Sequence, residues 1–171
     1  MANHRLVVGY GNPLRADDGL GWVVAEELAE SPLPSDTRVL TAHQLTPELA
    51  EPVGQADLVV FVDAREGGEP GRIERDTAAP AAEGSPAFSH DLDPPALLAL
   101  ARSLYGHCPR AVVVSVGGQD FGYGMALSEV VWEAVPAVVQ EILTILEDGA
   151  AGAVAVPVGA TTGSGRRSLG G

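Results

Sequence analysis

Residues 5–21 narrow the possible folds of this chain more than any other stretch. Leu6-Val7-Val8 is a continuous apolar run of the kind found in strands buried on both faces, and Gly9 and Gly11 close it. The loop Asn12-Pro13-Leu14-Arg15-Ala16-Asp17 follows at once, and from about Asp18 the apolar residues Leu20, Val23, Val24 and Leu28 recur at helical spacing on one face. A strand, a short loop and a helix in that order predict an α/β sheet with helices packed on it.

The same unit recurs. Residues 37–41 read as a strand, Thr46-Pro47-Glu48 as a helix start with Pro at its first position, and Leu58-Val59-Val60-Phe61-Val62 as the central strand. Residues 71–76 alternate weakly and carry charge on both sides of Ile73, which predicts a short edge strand and a mixed sheet. Residues 77–88 lack periodicity and predict a mobile loop. Asp93-Pro94-Pro95 marks another helix start, residues 111–116 a further buried strand, and Ser128 the opening of a last helix with a bend or break at Pro136. The expected architecture is a single-domain three-layer α/β sandwich over residues 1–148. It holds a mostly parallel mixed sheet of about five strands between helices, and the Gly- and Ala-rich residues 149–171 are expected to form a disordered tail.

Composition narrows the function. With 171 residues, 46% of them hydrophobic and 19% charged, the chain can bury one core and is expected to carry one site. A formal net charge of -13 repels phosphate backbones and anionic lipid heads, so neither nucleic acid nor a membrane is the expected partner. The single cysteine, Cys108, cannot form an internal disulfide, and the apolar run near the N-terminus is too short for a signal peptide; both fit a cytoplasmic protein, expected as a monomer.

In an α/β sheet, ligands bind beyond the C-terminal ends of the strands, so the loops there hold the candidates. A dinucleotide loop is disfavoured, because Leu14 stands where the third glycine of Gly-x-Gly-x-x-Gly belongs and two aspartates occupy the place of a pyrophosphate. Asp17 is readable as a helix cap, and Asp18 as either a first-turn acid or a functional one. Gly19 and Gly21 weaken a helical turn and fit a site where another backbone comes close. Asp63 follows the central strand, either salt-bridged to Arg65, capping a following turn, or functional. His90 lies in a loop just ahead of Asp93, itself the expected cap of the next helix, and as a lone histidine it could be an ordinary surface residue. Asp18, Asp63 and His90 nevertheless all fall on loops that a parallel sheet gathers at one edge, and two carboxylates plus an imidazole make an open ligand set suited to a catalytic transition metal. His43 could reach the same edge as an orienting or substrate-contacting group, and Asp120 reads as a turn former. No nucleophile stands out: Cys108 precedes a strand, at the wrong end of the sheet, and no serine sits in an elbow.

These pieces resemble the hydrogenase maturation proteases, which trim the large subunit precursor of nickel-iron hydrogenases. The resemblance runs from about Arg5 to Leu146. It rests on Gly-x-Gly-Asn-Pro-Leu-x-x-Asp-Asp-Gly-x-Gly at residues 9–21, on Val62-Asp63-Ala64, on Ser89-His90-x-Leu92 and on Leu127-Ser128-x-x-Val131. It implies that Asp18, Asp63 and His90 are the metal-binding and catalytic positions of an aspartic-type, metal-dependent endopeptidase. The metal implied is nickel carried by the substrate precursor, so that only a finished substrate is cut. The residues themselves leave open a second class, a nickel-sensing chaperone that binds the precursor without cutting it, because ligands that recognise a metal and ligands that use it are the same.

Overall fold

The structure is a computed structural model that describes residues 3–83 and 92–150. Among the described residues five strands form one sheet: β1 (Arg5–Tyr10), β2 (Thr37–Ala42), β3 (Leu58–Arg65), β4 (Ile73–Ala78) and β5 (Arg110–Gly117). Their order across the sheet is β2-β1-β3-β5-β4, with every neighbouring pair parallel except the antiparallel edge pair β4–β5. The expected mixed, mostly parallel sheet is therefore present, and its charged edge strand is the one that runs backwards.

Period-two alternation divides the core between the two faces of the sheet. Val7, Val60, Val62, Val112 and Val114 point to one face, where α1 (Leu20–Ala29) and α4 (Glu129–Ala150) bury Leu20, Val24, Leu28, Ile142, Ile145 and Leu146. Leu6, Val8, Val59 and Phe61 point to the other, against α2 (Ala50–Gln55) and α3 (Pro94–Tyr105), which supply Val53, Leu97, Leu98 and Ala101. Both faces being covered explains why the strands read as continuous apolar runs.

Local chemistry sets the helix ends. Asp93 accepts a hydrogen bond from the Ala96 N–H at 2.9 Å and caps α3, which ends on Gly106 in the left-handed conformation at φ 72°. Pro47 instead starts a short 3-10 turn, Pro47–Leu49, that leads into α2. Arg5, only 6% exposed, donates from its guanidinium to the carbonyls of Leu146, near the C-terminal end of α4, and of Asn3 and Ser35. Pro136 is a correction: α4 runs through it without a break, so the missing N–H is tolerated on an exposed face packed on one side by Val135, Val138 and Val139. The central strand also runs further than its apolar residues, so that Asp63 lies within β3 rather than after it. Of the loop expected over residues 77–88, Thr77 and Ala78 belong to β4, and positions 84–88 lie outside the described residues, as does the tail beyond Ala150.

The chain runs from β1 to β2 on one side and reaches β3 on the other, so the loops after β1 and β3 part company above the crevice between these strands. Such a switch point is where open α/β sheets bind ligands. Its geometry depends on glycine. A Cβ on Gly9 would lie 2.1 Å from the Gly21 carbonyl oxygen, and one on Gly21 would lie 2.6 Å from the Tyr10 nitrogen and 2.8 Å from the Val62 oxygen. Gly21→Ala should accordingly cost about 3 kcal/mol of stability through overpacking against backbone that cannot rotate away. Gly124→Ala, where a Cβ meets nothing within 4 Å, should be close to neutral. Urea unfolding midpoints of the two variants measure the difference.

Candidate active site

At the end of β1 the chain turns through Gly11, whose φ of 137° and whose hypothetical Cβ, 2.0 Å from the Asp18 carbonyl oxygen, exclude any side chain. The segment then folds back as a 3-10 turn, Ala16–Gly19, before α1 begins. Ala16 enters this turn at a φ of 48°, an unfavourable conformation for a residue with a Cβ, and its N–H is held by the Gly124 carbonyl at 2.8 Å. Asp18 points back into the loop, where its carboxylate accepts from the Asn12 N–H at 2.7 Å.

Asp63 comes from the next strand. Because Gly9 pairs with Val62, Tyr10 stands at the level of Asp63 on the neighbouring strand, and its hydroxyl donates a hydrogen bond toward that carboxylate. Burial raises the Asp63 pKa to about 6; the Asp18 charge adds to the rise, while the Tyr10 hydroxyl and the Arg65 guanidinium oppose it. Burial also raises the Tyr10 phenol, and the charges of Asp63, Asp93 and Asp18 reinforce that shift. These mutual influences put Asp18, Asp63, Tyr10 and the capped start of α3 at one edge of the sheet. Asp63 is not salt-bridged to Arg65 as one reading allowed, since Arg65 Nη1 pairs with Glu74 at 3.1 Å and donates to Ser115 Oγ at 2.8 Å.

Asp17 corrects the capping reading. No side chain caps the 3-10 turn or α1, and the Asp17 carboxylate, with no exposed surface, turns the other way. It accepts from the N–H groups of Gln119 and Asp120 at 2.8 Å, from the Ser128 N–H at 2.7 Å and from the Ser128 hydroxyl at 2.8 Å. Burial alone would raise its pKa, but these hydrogen bonds outweigh it and hold the carboxyl below the ordinary value. Asp17 thereby ties the loop after β5 to the turn that carries Asp18. Asp120, the expected turn former, accepts from the Gly122 N–H at 2.8 Å.

His43 reaches this edge but not the carboxylates: its exposed ring meets Trp22 at a centroid distance of 5.2 Å, and the Trp22 indole donates to the Gly11 carbonyl at 2.9 Å. His90 lies outside the described residues. Among the described residues, no group of three His, Cys, Asp or Glu side chains could hold a metal, so the carboxylate pair would need a further ligand. Leu92, the first described residue after position 91, forms a β-bridge with Leu45, in the segment after β2. Cys108 lies before β5, at the opposite edge, and burial pushes its thiol up, away from nucleophilic use.

The sequence reading missed two site residues. Tyr10 was legible only as the last residue of a strand, since its role depends on the β1–β3 register. Asp17 was hidden by the ease with which an acid before a helix reads as a cap, although the Leu127-Ser128 motif already carried its partner.

No protein-family sequence model matches the chain, and no curated protein matches it by sequence. Solved structures do match. A [NiFe] hydrogenase maturation protease HycI from Thermococcus kodakarensis superposes with a TM-score of 0.68 at 26% identity, covering 85% of this chain and 93% of the other. The hydrogenase 2 maturation peptidase of Thaumarchaeota archaeon SCGC_AB-539-E09 gives 0.63 at 25% identity, with coverage of 84% and 98%. The hydrogenase maturating endopeptidase HybD of E. coli gives 0.70 at 23% identity, with coverage of 91% and 98%, a likeness of fold. These likenesses bear out the resemblance to the hydrogenase maturation proteases.

The two aspartates should respond to pH in opposite senses. Asp63 has a folded pKa of about 6 against 3.8 for an ordinary aspartate, so its burial costs stability as pH rises from about 4 to about 6 and continues to cost it above that. Asp63→Asn should therefore raise stability at pH 8 by up to about 3 kcal/mol and leave it little changed at pH 3. Asp17 has a depressed pKa, so its contribution is present above the unfolded value and is lost as pH falls through the folded one. Asp17→Ala should cost about 3 kcal/mol at pH 7, by stranding buried donors, and much less in acid. Denaturant titrations across pH measure both.

Proposed function

We propose that this chain is an endopeptidase that removes a C-terminal peptide from the nickel-loaded large subunit precursor of a nickel-iron hydrogenase. The observation that carries this reading is the pair of carboxylates, Asp18 and Asp63, at the switch point of a fold shared with hydrogenase maturation proteases. No helix among the described residues is long and apolar enough to cross a membrane.

In this reading Asp18, Asp63 and His90 bind the nickel that the precursor brings. Asp18 and Asp63 supply the hard oxygen ligands and His90 the imidazole, and the placement of Leu92 and Asp93 at the same edge supports the last assignment. A metal so held would polarise the scissile carbonyl or activate a water. The pKa of about 6 belongs to Asp63 before the metal arrives; with the nickel in place, a carboxylate oxygen of Asp63 not engaged by it would accept a proton and pass it to the leaving amine. Tyr10 orients that carboxylate from the neighbouring strand. A precursor without nickel would leave the acidic pair without a counter-charge, so the same residues would both recognise and cut.

Asp63→Asn and His90→Ala should each lower the rate of precursor cleavage at least about a hundredfold, read as loss of the C-terminal peptide by mass spectrometry. Cleavage that survives in both variants would remove the basis of the proposal. Stable precursor binding by the wild-type protein with no cleavage would favour the nickel-sensing chaperone instead.

A further inference from the structure

The loop after β5 presents large apolar side chains to solvent while being held firmly in place. Tyr123 is 93% exposed and Met125 85% exposed, and they flank Gly124, which forms a parallel bridge with Arg15. The Gly124 N–H donates to the Leu14 carbonyl at 2.9 Å and its carbonyl accepts from Ala16, so Tyr123 and Met125 lie beside Leu14, itself 42% exposed. The rest of the loop is anchored by Asp17 and by the Gly118 N–H on the Arg65 carbonyl at 2.9 Å. Asp17 is taken up by buried hydrogen bonds; Asp120 is exposed but accepts from the Gly122 N–H, and the exposed Arg15 is paired with Glu66 at 3.5 Å. Within this rim Tyr123, Met125 and Leu14 offer a partner apolar surface, although the chain as a whole carries a net charge of -13.

We infer that Tyr123 and Met125, with Leu14, dock an apolar stretch of the precursor polypeptide beside the segment to be cut. The inference rests on the endopeptidase reading and adds to it where the substrate chain lies. Solvent-exposed apolar residues on a connecting loop need a reason when they cluster. Here they flank Gly124, whose backbone pairs with Leu14 and Ala16 at the start of the turn that carries Asp18, so a partner resting on them approaches the side of the fold that bears the carboxylate pair. Tyr supplies a rigid contact and Met an adaptable one, the chemistry expected where one surface must accept an extended chain. Because Asp17 fixes the loop before the substrate arrives, little ordering is needed on binding.

The test compares wild type with a Tyr123→Ala/Met125→Ala double variant on the purified nickel-loaded precursor, and takes Leu104→Ala, an exposed apolar residue of α3, as the control. KM and kcat come from cleavage followed by mass. Kd for the same precursor comes from a parallel series in an Asp63→Asn background. The double variant should raise KM and Kd about tenfold, the effect of losing a modest interface anchor, with kcat within about twofold and the control unchanged. Unchanged KM and Kd overturn the inference while leaving the endopeptidase reading intact. A wild type that binds but does not cut overturns that reading, and the Kd comparison still decides the docking surface. A wild type that neither binds nor cuts overturns both.

Discussion

Two backbones touch at Gly9 and Gly21, and the C-terminal edge of the sheet is organised around that contact. It lets α1 begin directly against β1 and β3, so the turn ahead of the helix is held over the crevice between them. From this turn two adjacent aspartates leave in opposite directions. Asp18 bends back to the Asn12 N–H and lies near Asp63; Asp17 turns the other way, into the protein, and draws in the loop after β5. A Cβ at either glycine would meet the facing backbone at under 3 Å, so the helix and the strand could not keep this approach.

The two acids are stabilised in contrasting ways. Asp17 is fully buried yet surrounded by donors, so its charge is welcome and serves structure. Asp63 is partly buried beside another carboxylate with only partial compensation from Tyr10 and Arg65, so its charge is unwelcome in the free protein. Such tension is typical of a functional position, and a cation arriving between Asp18 and Asp63 would relieve it. On this account affinity for a metal-bearing substrate is stored as a mild destabilisation of the free site.

Much of this was legible in the sequence, for physical reasons. Buried parallel strands appear as apolar runs, so Leu6-Val7-Val8 and the residues before Asp63 marked β1 and β3, and the charges around Ile73 marked the edge strand. Asp93-Pro94-Pro95 declared its helix because capping is local chemistry. What depended on distant partners was hidden. Asp17 looks like a cap until the N–H groups of Gln119, Asp120 and Ser128 are seen around it. Tyr10 looks like a strand end until the register sets it beside Asp63. Pro136 looks like a break, but the packing of α4 on the sheet carries the helix through it.

The central claim is that this edge reads nickel in the substrate and then cuts. The most direct measurement is the mass of the cognate large subunit precursor after incubation with the purified protein, with and without nickel inserted. The account predicts loss of a C-terminal peptide from the nickel-loaded form alone. Equal cleavage of both forms, or none of either, would contradict it.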